Sequence, residues 1–417
     1  MRILFIHDDF PGQYQRIVNH LAKDRNYELV SGSLSKNSNP TPIRRIEYTP
    51  HRLPHPDSHP ALRYTERAVI HGQAALKAFL PLQRQGWKPD IILGHSGWGS
   101  GIFMKDLWPD AKYLAYFEWY YRTDAADVGF LDGGVSDVNE KMKIRMKNTA
   151  ILQDFAAMDW GQCPTQFQAT QFPEIFRNRL SILHDGVDTE FFSPNRQTEL
   201  VVNGCKFRKG DPLVTYIARG MEPYRGFPQF IAAIAHLQKM NPHVHALIIG
   251  EDKVVYGLKR QDGQTFKHVA LEENQLDLSR IHFVGTKPLH FLRDALRVSA
   301  AHIYLTVPFV LSWSMMEAMS TGAVVVGSDT GPLREMITDG ENGILVPFHQ
   351  PDELANTLNN ILKHPNLYTC LGEAARKMIL ERYELSEMIG LYQNLIHAVA
   401  SGNRPCYRTD LKVVRSD

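Results

Sequence analysis

The chain is predicted to be an α/β protein in which two doubly wound parallel sheets follow one another and a helical C-terminus closes the sequence. Three observations predict this. Short apolar or β-branched runs alternate with helical stretches through the first half; the same alternation restarts after a polar, irregular segment around Pro194 to Pro212; and from Asp352 onward apolar residues fall at helical spacing with no strand between them.

In the first half the strand runs are ILFI near the start, then YELVSG, DIILGH, KYLAYF and SILHDG. Between ILFI and the helix QRIVNHLA lies the loop HDDFPGQ, whose Gly12 permits close approach of backbone to a ligand. The second half supplies LVTYIA, HALIIG, IHFVG, HIYLT, AVVVGSD and NGILVP. LVTYIA leads through Arg219 and Arg225-Gly226 into the helix FPQFIAAIAHLQ, and HIYLT leads through Thr306 to Ser312 into an apolar helix ending near Thr321. The tail holds DELANTLNNILKH, NLYTCLGEAARKMILERY and SEMIGLYQNLIHAVA, each with apolar residues at helical spacing. The domains are placed at 1–198 and 199–384, and 385–417 is read as a C-terminal helix that packs back toward the first domain, plus a tail. After Ser401 the sequence is polar and expected to be loosely held.

Composition narrows the function. At 417 residues, two large domains fit the usual domain size. Lys+Arg 46 against Asp+Glu 45 leaves a net charge of +1, so no global field favours nucleic acid or an anionic membrane. Any anionic ligand must be held by a local cluster. The 4 cysteines, Cys163, Cys205, Cys370 and Cys406, show no paired metal-ligand spacing, which argues against a zinc site or disulfide framework and for a reducing, cytoplasmic setting. MRILFIHDD has too short an apolar run for a signal peptide, and no stretch approaches the ~20 residues of a membrane span. Peripheral contact with the inner face of a membrane stays open.

In doubly wound sheets, ligands gather at the carboxyl ends of the strands, where helix N-termini favour anions. The residues at those positions are distinctive. Arg219, Arg225, Gly12 and a helix N-terminus at Ser312 together suit a diphosphate. Glu317 lies in the helix after Ser312 with no wide charged face around it, and a buried carboxylate needs partners. In the first domain, His95 ends a strand beside Trp98, and Glu118, Trp119, Tyr120 and Tyr121 form an acidic and aromatic cluster suited to sugar hydroxyls and faces. His184 and Asp185 fall at the hinge.

Taken in order, these segments resemble the retaining nucleotide-sugar glycosyltransferases of family 4, which have the GT-B fold of two Rossmann-like domains facing a central cleft. LSWSMMEAMSTGAVVVGSDTGPLREMITDGENGILVPFHQPDELA is similar to the family's donor-site helix, strand and turn; IARGMEPYRGF to its diphosphate segment; and SILHDGVDTEFFSP to its inter-domain segment. HSGWGSGIF, YFEWYYR and PFVLSWSMMEAM suggest a bacterial subgroup. The resemblance implies that Glu317 accepts hydrogen bonds from the ribose, that backbone N–H groups of Leu311, Ser312 and Trp313 meet the distal phosphate or sugar, and that Arg219 and Arg225 stabilise the leaving diphosphate. It further implies that Gly12 approaches the donor phosphate and that Thr286 and Lys287 flank the base through their backbone. Glu118, Arg219, Arg225 and Glu317 are the residues expected to act in catalysis, and His95, Trp98, Trp119 and Tyr120 to line the acceptor side.

The chain departs from the family pattern at three positions. Phe309 stands where the first carboxylate of the family's paired-glutamate motif belongs, so the carboxylate contact to donor-sugar hydroxyls that the resemblance implies is missing and an aromatic side chain is expected there; Arg225 replaces a Lys; and Glu118 stands where many relatives have a His. The implied activity is transfer of a hexosyl group from a nucleoside diphosphate sugar, UDP- or GDP-linked, to a glycan or lipid-linked glycan in cell-surface polysaccharide or glycolipid synthesis. Retention at the anomeric carbon is implied, with no metal and no other cofactor, and no nucleic-acid partner. Two rivals stand beside it: a nucleotide-sugar epimerase or hydrolase using the same donor site, and an inactive carbohydrate-binding relative. A nicotinamide dehydrogenase is disfavoured because no G-x-G-x-x-G follows a strand near either domain start.

Overall fold

The computed structural model describes residues 1–135 and 137–405. Most of the polar tail, with Cys406, lies outside the described residues. The chain divides into two compact units, one comprising residues 1–128, 134–185 and 386–417, the other 129–133 and 186–385.

The first unit is built on a seven-stranded parallel sheet in the order β3-β2-β1-β4-β5-β6-β7. Its strands are β1 (Arg2–Ile6), β2 (Glu28–Leu34), β3 (Arg44–Tyr48), β4 (Ile91–His95), β5 (Lys112–Tyr116), β6 (Trp160–Cys163) and β7 (Leu180–Ile182). Ile3, Leu4, Phe5 and Ile6 are wholly buried, as a central strand covered on both faces requires. The order reverses between β1 and β4, so the loops that leave these neighbouring strands diverge and open a crevice at their carboxyl ends. The 22-residue helix Arg63–Arg84, which the strand-pattern reading leaves unassigned, buries Ala68, Ile70, Ala75 and Phe79. The C-terminal helix Leu385–Ala400 belongs almost wholly to this unit, where Tyr27 Oη meets His397 Nε2 at 2.8 Å.

The second unit holds a six-stranded parallel sheet in the order β12-β11-β10-β13-β14-β15. It comprises β10 (Leu213–Gly220), β11 (His245–Glu251), β12 (Ile281–Phe283), β13 (Ala301–Tyr304), β14 (Val325–Ser328) and β15 (Ile344–Val346). Here the reversal falls between β10 and β13. The segment read as irregular contains an antiparallel hairpin of β8 (Glu199–Val202) and β9 (Cys205–Arg208), turned at Asn203-Gly204 with Asn203 at φ 49°. An Asn-Gly pair that accepts positive φ is the turn chemistry such a hairpin needs. No helix among the described residues is long and apolar enough to cross a membrane.

One buried carboxylate in the first unit stabilises the fold in a pH-dependent way. Asp154, 1% exposed, accepts from Ser96 Oγ at 2.7 Å and from Tyr113 Oη at 2.8 Å, tying the loop after β4 and strand β5 to the helix Thr149–Ala157. Burial pushes its pKa up to about 6 despite those donors. Because the folded state holds the proton more tightly, the contribution is complete below the ordinary aspartate range and is lost as pH rises through about 6. Wild type should therefore lose up to about 3 kcal/mol between about pH 4 and pH 7 through this group. Asp154→Asn, which cannot ionise, should flatten that slope in denaturant titrations run at each pH; an unchanged slope would assign the pH dependence elsewhere.

Candidate functional site

At the crevice of the first unit, the loops after β1 and β4 bring two imidazoles together. His7 and His95 lie with ring centroids 4.6 Å apart, edge to face. The backbone N–H of Asp9 donates to His7 Nδ1 at 2.9 Å, which places the His7 proton on Nε2. From there Nε2 donates to Gln13 Oε1 at 2.8 Å, and the Gln13 amide donates to Glu118 Oε1 at 2.5 Å. Burial pushes the His7 pKa down to about 3, with His95 adding to the effect, so this chain of donors is neutral until it reaches the carboxylate. Gly12 makes the loop possible: its φ is 47°, and a Cβ there would stand 2.5 Å from His7 Nε2.

Glu118, just beyond β5, receives the relay. Its side chain is 27% exposed. Burial alone would raise its pKa, but His95 and the Gln13 amide hold it below the usual carboxylate range. His95 Nε2 stands 3.6 Å from Glu118 Oε2, beyond hydrogen-bond reach, and has no hydrogen-bond partner among the described residues. A ligand hydroxyl bridging these two groups would satisfy a buried nitrogen. Trp98 is exposed beside His95, with the Arg67 guanidinium 5.5 Å from its ring centroid. Trp119 is buried with its ring near Phe167, and Tyr120 is partly buried with its ring near Phe172.

In the second unit the carboxyl end of β10 delivers Arg219, Glu222 and Arg225 in turn. Arg219 is exposed, and its charge acts on the Glu222 carboxyl against the effect of burial. Arg225 is buried, and its Nη1 donates to Tyr304 Oη at 3.0 Å, Thr306 Oγ1 at 3.0 Å and the Val310 carbonyl at 2.9 Å, all from the end of β13 and the loop after it. Its guanidinium also lies over the Tyr256 ring, 5.1 Å from the centroid. Gly226, at φ 62°, turns this segment into the helix Phe227–Met240, and a Cβ there would lie 2.4 Å from Leu305 Cβ. Glu222 is wholly buried and accepts from the backbone N–H groups of Val255 and, at 2.9 Å, Tyr256; burial nevertheless keeps its pKa raised.

Ser312 caps the helix Trp313–Ser320, in which Glu317 is 6% exposed, so the apolar helix does bury its carboxylate. The Ser312 N–H donates to Tyr304 Oη at 2.6 Å and is engaged within the protein. Leu311 is partly buried against the core below. Phe309 is 9% exposed and meets Tyr224 and Tyr256 edge-on, with centroids 5.7 and 5.3 Å away. Thr286 and Lys287 follow β12: Thr286 Oγ1 donates to Glu251 Oε1 at 2.9 Å, and Lys287 Nζ lies 5.5 Å from the Phe291 ring centroid. The structure thus gathers Arg219, Arg225, Phe309, Leu311, Ser312, Trp313 and Glu317 on the two loops at the strand-order reversal, and Thr286 and Lys287 at the same edge two strands away. His7, Gln13, Glu222, Tyr256 and Tyr304 escape the sequence reading; only the Pro-flanked Glu222, between two arginines, offered a local signal.

With this geometry in place, comparison with known proteins is informative. A family model described as "Glycosyl transferase family 4 group" matches residues 25–192, and one described as "Glycosyl transferases group 1" matches residues 202–378. The chain therefore resembles a glycosyltransferase family model in each half. Its fold is GT-B, as expected. A D-inositol 3-phosphate glycosyltransferase of Corynebacterium glutamicum is 28% identical over 204 residues, 48% of this chain and 47% of that protein, so the match spans about half of that relative. The sucrose-phosphate synthase of Thermosynechococcus elongatus superposes with a TM-score of 0.70 at 16% identity, covering 95% of this chain and 100% of the other. Anabaena HepE in complex with UDP-glucose gives 0.67 at 15% identity, with 95% and 100% covered.

In the second unit, Tyr304 is the acceptor shared by Arg225 and the Ser312 N–H. Tyr304→Phe should leave a buried N–H unpaired and cost about 1–3 kcal/mol. Thermal unfolding should show a lowered Tm; an unchanged Tm would mean that other acceptors replace the hydroxyl.

Proposed function

We propose that this chain transfers a hexosyl group from a nucleoside diphosphate sugar to a glycan or lipid-linked glycan, with retention at the anomeric carbon and without a metal in the reaction. The observation that supports it best is that a buried guanidinium, Arg225, follows β10 while a buried carboxylate, Glu317, lies in the helix reached from β13, the two strands between which the second sheet reverses order. A carboxylate in an apolar helix suits paired ribose hydroxyls, whose bonds strengthen in a low dielectric. Arg225 gives Nη1 to protein acceptors, and the Arg219 guanidinium is exposed. These cationic groups suit a diphosphate both when bound and as it departs. The UDP-glucose complex named for HepE is in keeping with such a donor.

The first unit supplies the acceptor side in this reading. Glu118, held ionised by Gln13 and His95, orders an acceptor hydroxyl or stabilises positive charge on the sugar, and exposed Trp98 offers a face for a sugar ring.

Glu317→Ala should weaken nucleoside diphosphate binding by roughly 1.5–3 kcal/mol in calorimetry, the range for hydrogen bonds to a charged group. Unchanged binding would remove Glu317 from the donor site. Glu118→Gln should lower turnover by about 10²-fold or more while donor binding persists. Turnover of the donor sugar with no acceptor present would favour the epimerase or hydrolase instead. Proton NMR of the first product formed decides between retention and inversion, and activity lost to EDTA and restored by Mn²⁺ would overturn the metal-free reading.

A further inference from the structure

Folding brings together three metal-ligating side chains that are far apart in sequence. Cys205 opens β9 after the hairpin turn, His245 opens β11, and His282 lies in β12, beside Leu247 of β11. The Cys205 sulfur and one nitrogen from each imidazole all lie within 4.8 Å of one another. His245 Nδ1 and His282 Nε2 are 2.9 Å apart, and the rings stack at an interplanar angle of 9°. We propose that these residues form a binding site for a thiophilic divalent cation, of which Zn²⁺ is the representative, that fastens the β8–β9 hairpin to the sheet. Only small shifts would bring the three atoms to the ~2.3 Å Zn–S and ~2.0–2.1 Å Zn–N distances of a tetrahedral site.

The surroundings fit in two respects and resist in one. Phe207, on the same face of β9 as Cys205, meets both imidazoles edge-on with centroids 5.1 and 5.7 Å away, giving the ligands an apolar wall. Asn203 sets its side-chain amide 3.4 Å from His282 Nδ1; with the amide oxygen turned inward it accepts that N–H and leaves Nε2 free for a metal. The resistance comes from Arg280, whose Nη1 donates to His245 Nε2 at 2.9 Å. That contact holds the His245 proton on Nδ1, the nitrogen that would face the metal. Loading therefore moves this proton to Nε2, turns Arg280 toward Asp277, whose carboxylate already lies 3.5 Å from its Nε, and releases the Cys205 thiol proton to solvent as the S–metal bond forms. Cys205 and His245 are partly exposed, so water can complete the coordination.

The site is structural rather than catalytic. His245 begins β11 and the donor loops leave the opposite ends of the strands, about 20 Å away along a seven-residue strand. Titration of the metal-stripped protein with Co²⁺ tests the proposal. One equivalent should give thiolate-to-cobalt charge-transfer absorption, and Zn²⁺ should displace it. Cys205→Ser should abolish the charge transfer while keeping the melting temperature of the metal-free wild type, and His282→Gln should weaken binding at least tenfold. Arg280→Met, by freeing His245, should tighten binding by about 10–100-fold, the span seen when groups behind metal ligands are changed. No charge transfer at one equivalent in the wild type, or a band that survives Cys205→Ser, would overturn the site; an Arg280→Met affinity equal to wild type would overturn the role given to Arg280.

Discussion

A guanidinium cannot shed its charge inside a protein, and at 7% exposure Arg225 leaves the second unit no choice but to solvate it from within. Tyr304, Thr306 and the Val310 carbonyl do so, and all come from the end of β13 or the loop after it, while Arg225 itself leaves β10. Those are the adjacent strands between which the sheet order reverses. Without a partner here the two loops would diverge; the buried cation holds them together. The same Tyr304 hydroxyl accepts the Ser312 N–H, which fixes where the helix Trp313–Ser320 begins and therefore where Glu317 lies. Sheet topology, cation, loop and carboxylate form one connected constraint.

The first unit solves the corresponding problem with neutral groups. Its crevice also sits at a strand-order reversal, yet burial keeps His7 uncharged, and polarity passes through a directed chain from the Asp9 N–H to His7, to Gln13 and to Glu118. Direction matters, because a fixed tautomer lets one backbone N–H decide which way every later group points. The charge then appears only at the end of the chain, beside the unsatisfied His95 nitrogen. One unit presents fixed positive charge at its carboxyl edge, and the other an acid next to an unfilled hydrogen-bonding position.

Most of the fold was legible because parallel strands buried on both faces must be short and apolar, and eleven such runs fall on observed strands. The strands that escaped have physical reasons to do so. RRIEY is an edge strand with charged residues facing solvent, WGQC is four residues long and buries Gln162 by donating to the Leu183 carbonyl, and the β8–β9 hairpin alternates with Lys and Arg on its open face. The site was legible where a residue contradicts its surroundings, as Glu317 does in an apolar helix. His7, Gln13 and Tyr304 contradict nothing locally; their roles arise from partners distant in sequence. The Cys205, His245 and His282 cluster is the strongest case, since cysteine spacing alone pointed away from any metal and only strand pairing brings the three residues together.

Phe309 shows how one departure from a family pattern is absorbed by its neighbours. The resemblance places a carboxylate at this position, but here the side chain lies between Tyr224 and Tyr256. A carboxylate in that aromatic setting would be largely desolvated, and the one strong compensation at hand is Arg225, which already lies over Tyr256. Pairing with it would neutralise the cation that the proposed donor site uses. An aromatic residue avoids that competition, packs on the tyrosine that borders the guanidinium, and leaves the Arg225 charge available to a ligand. Phe in place of the carboxylate that the resemblance implies therefore leaves the buried cation undivided.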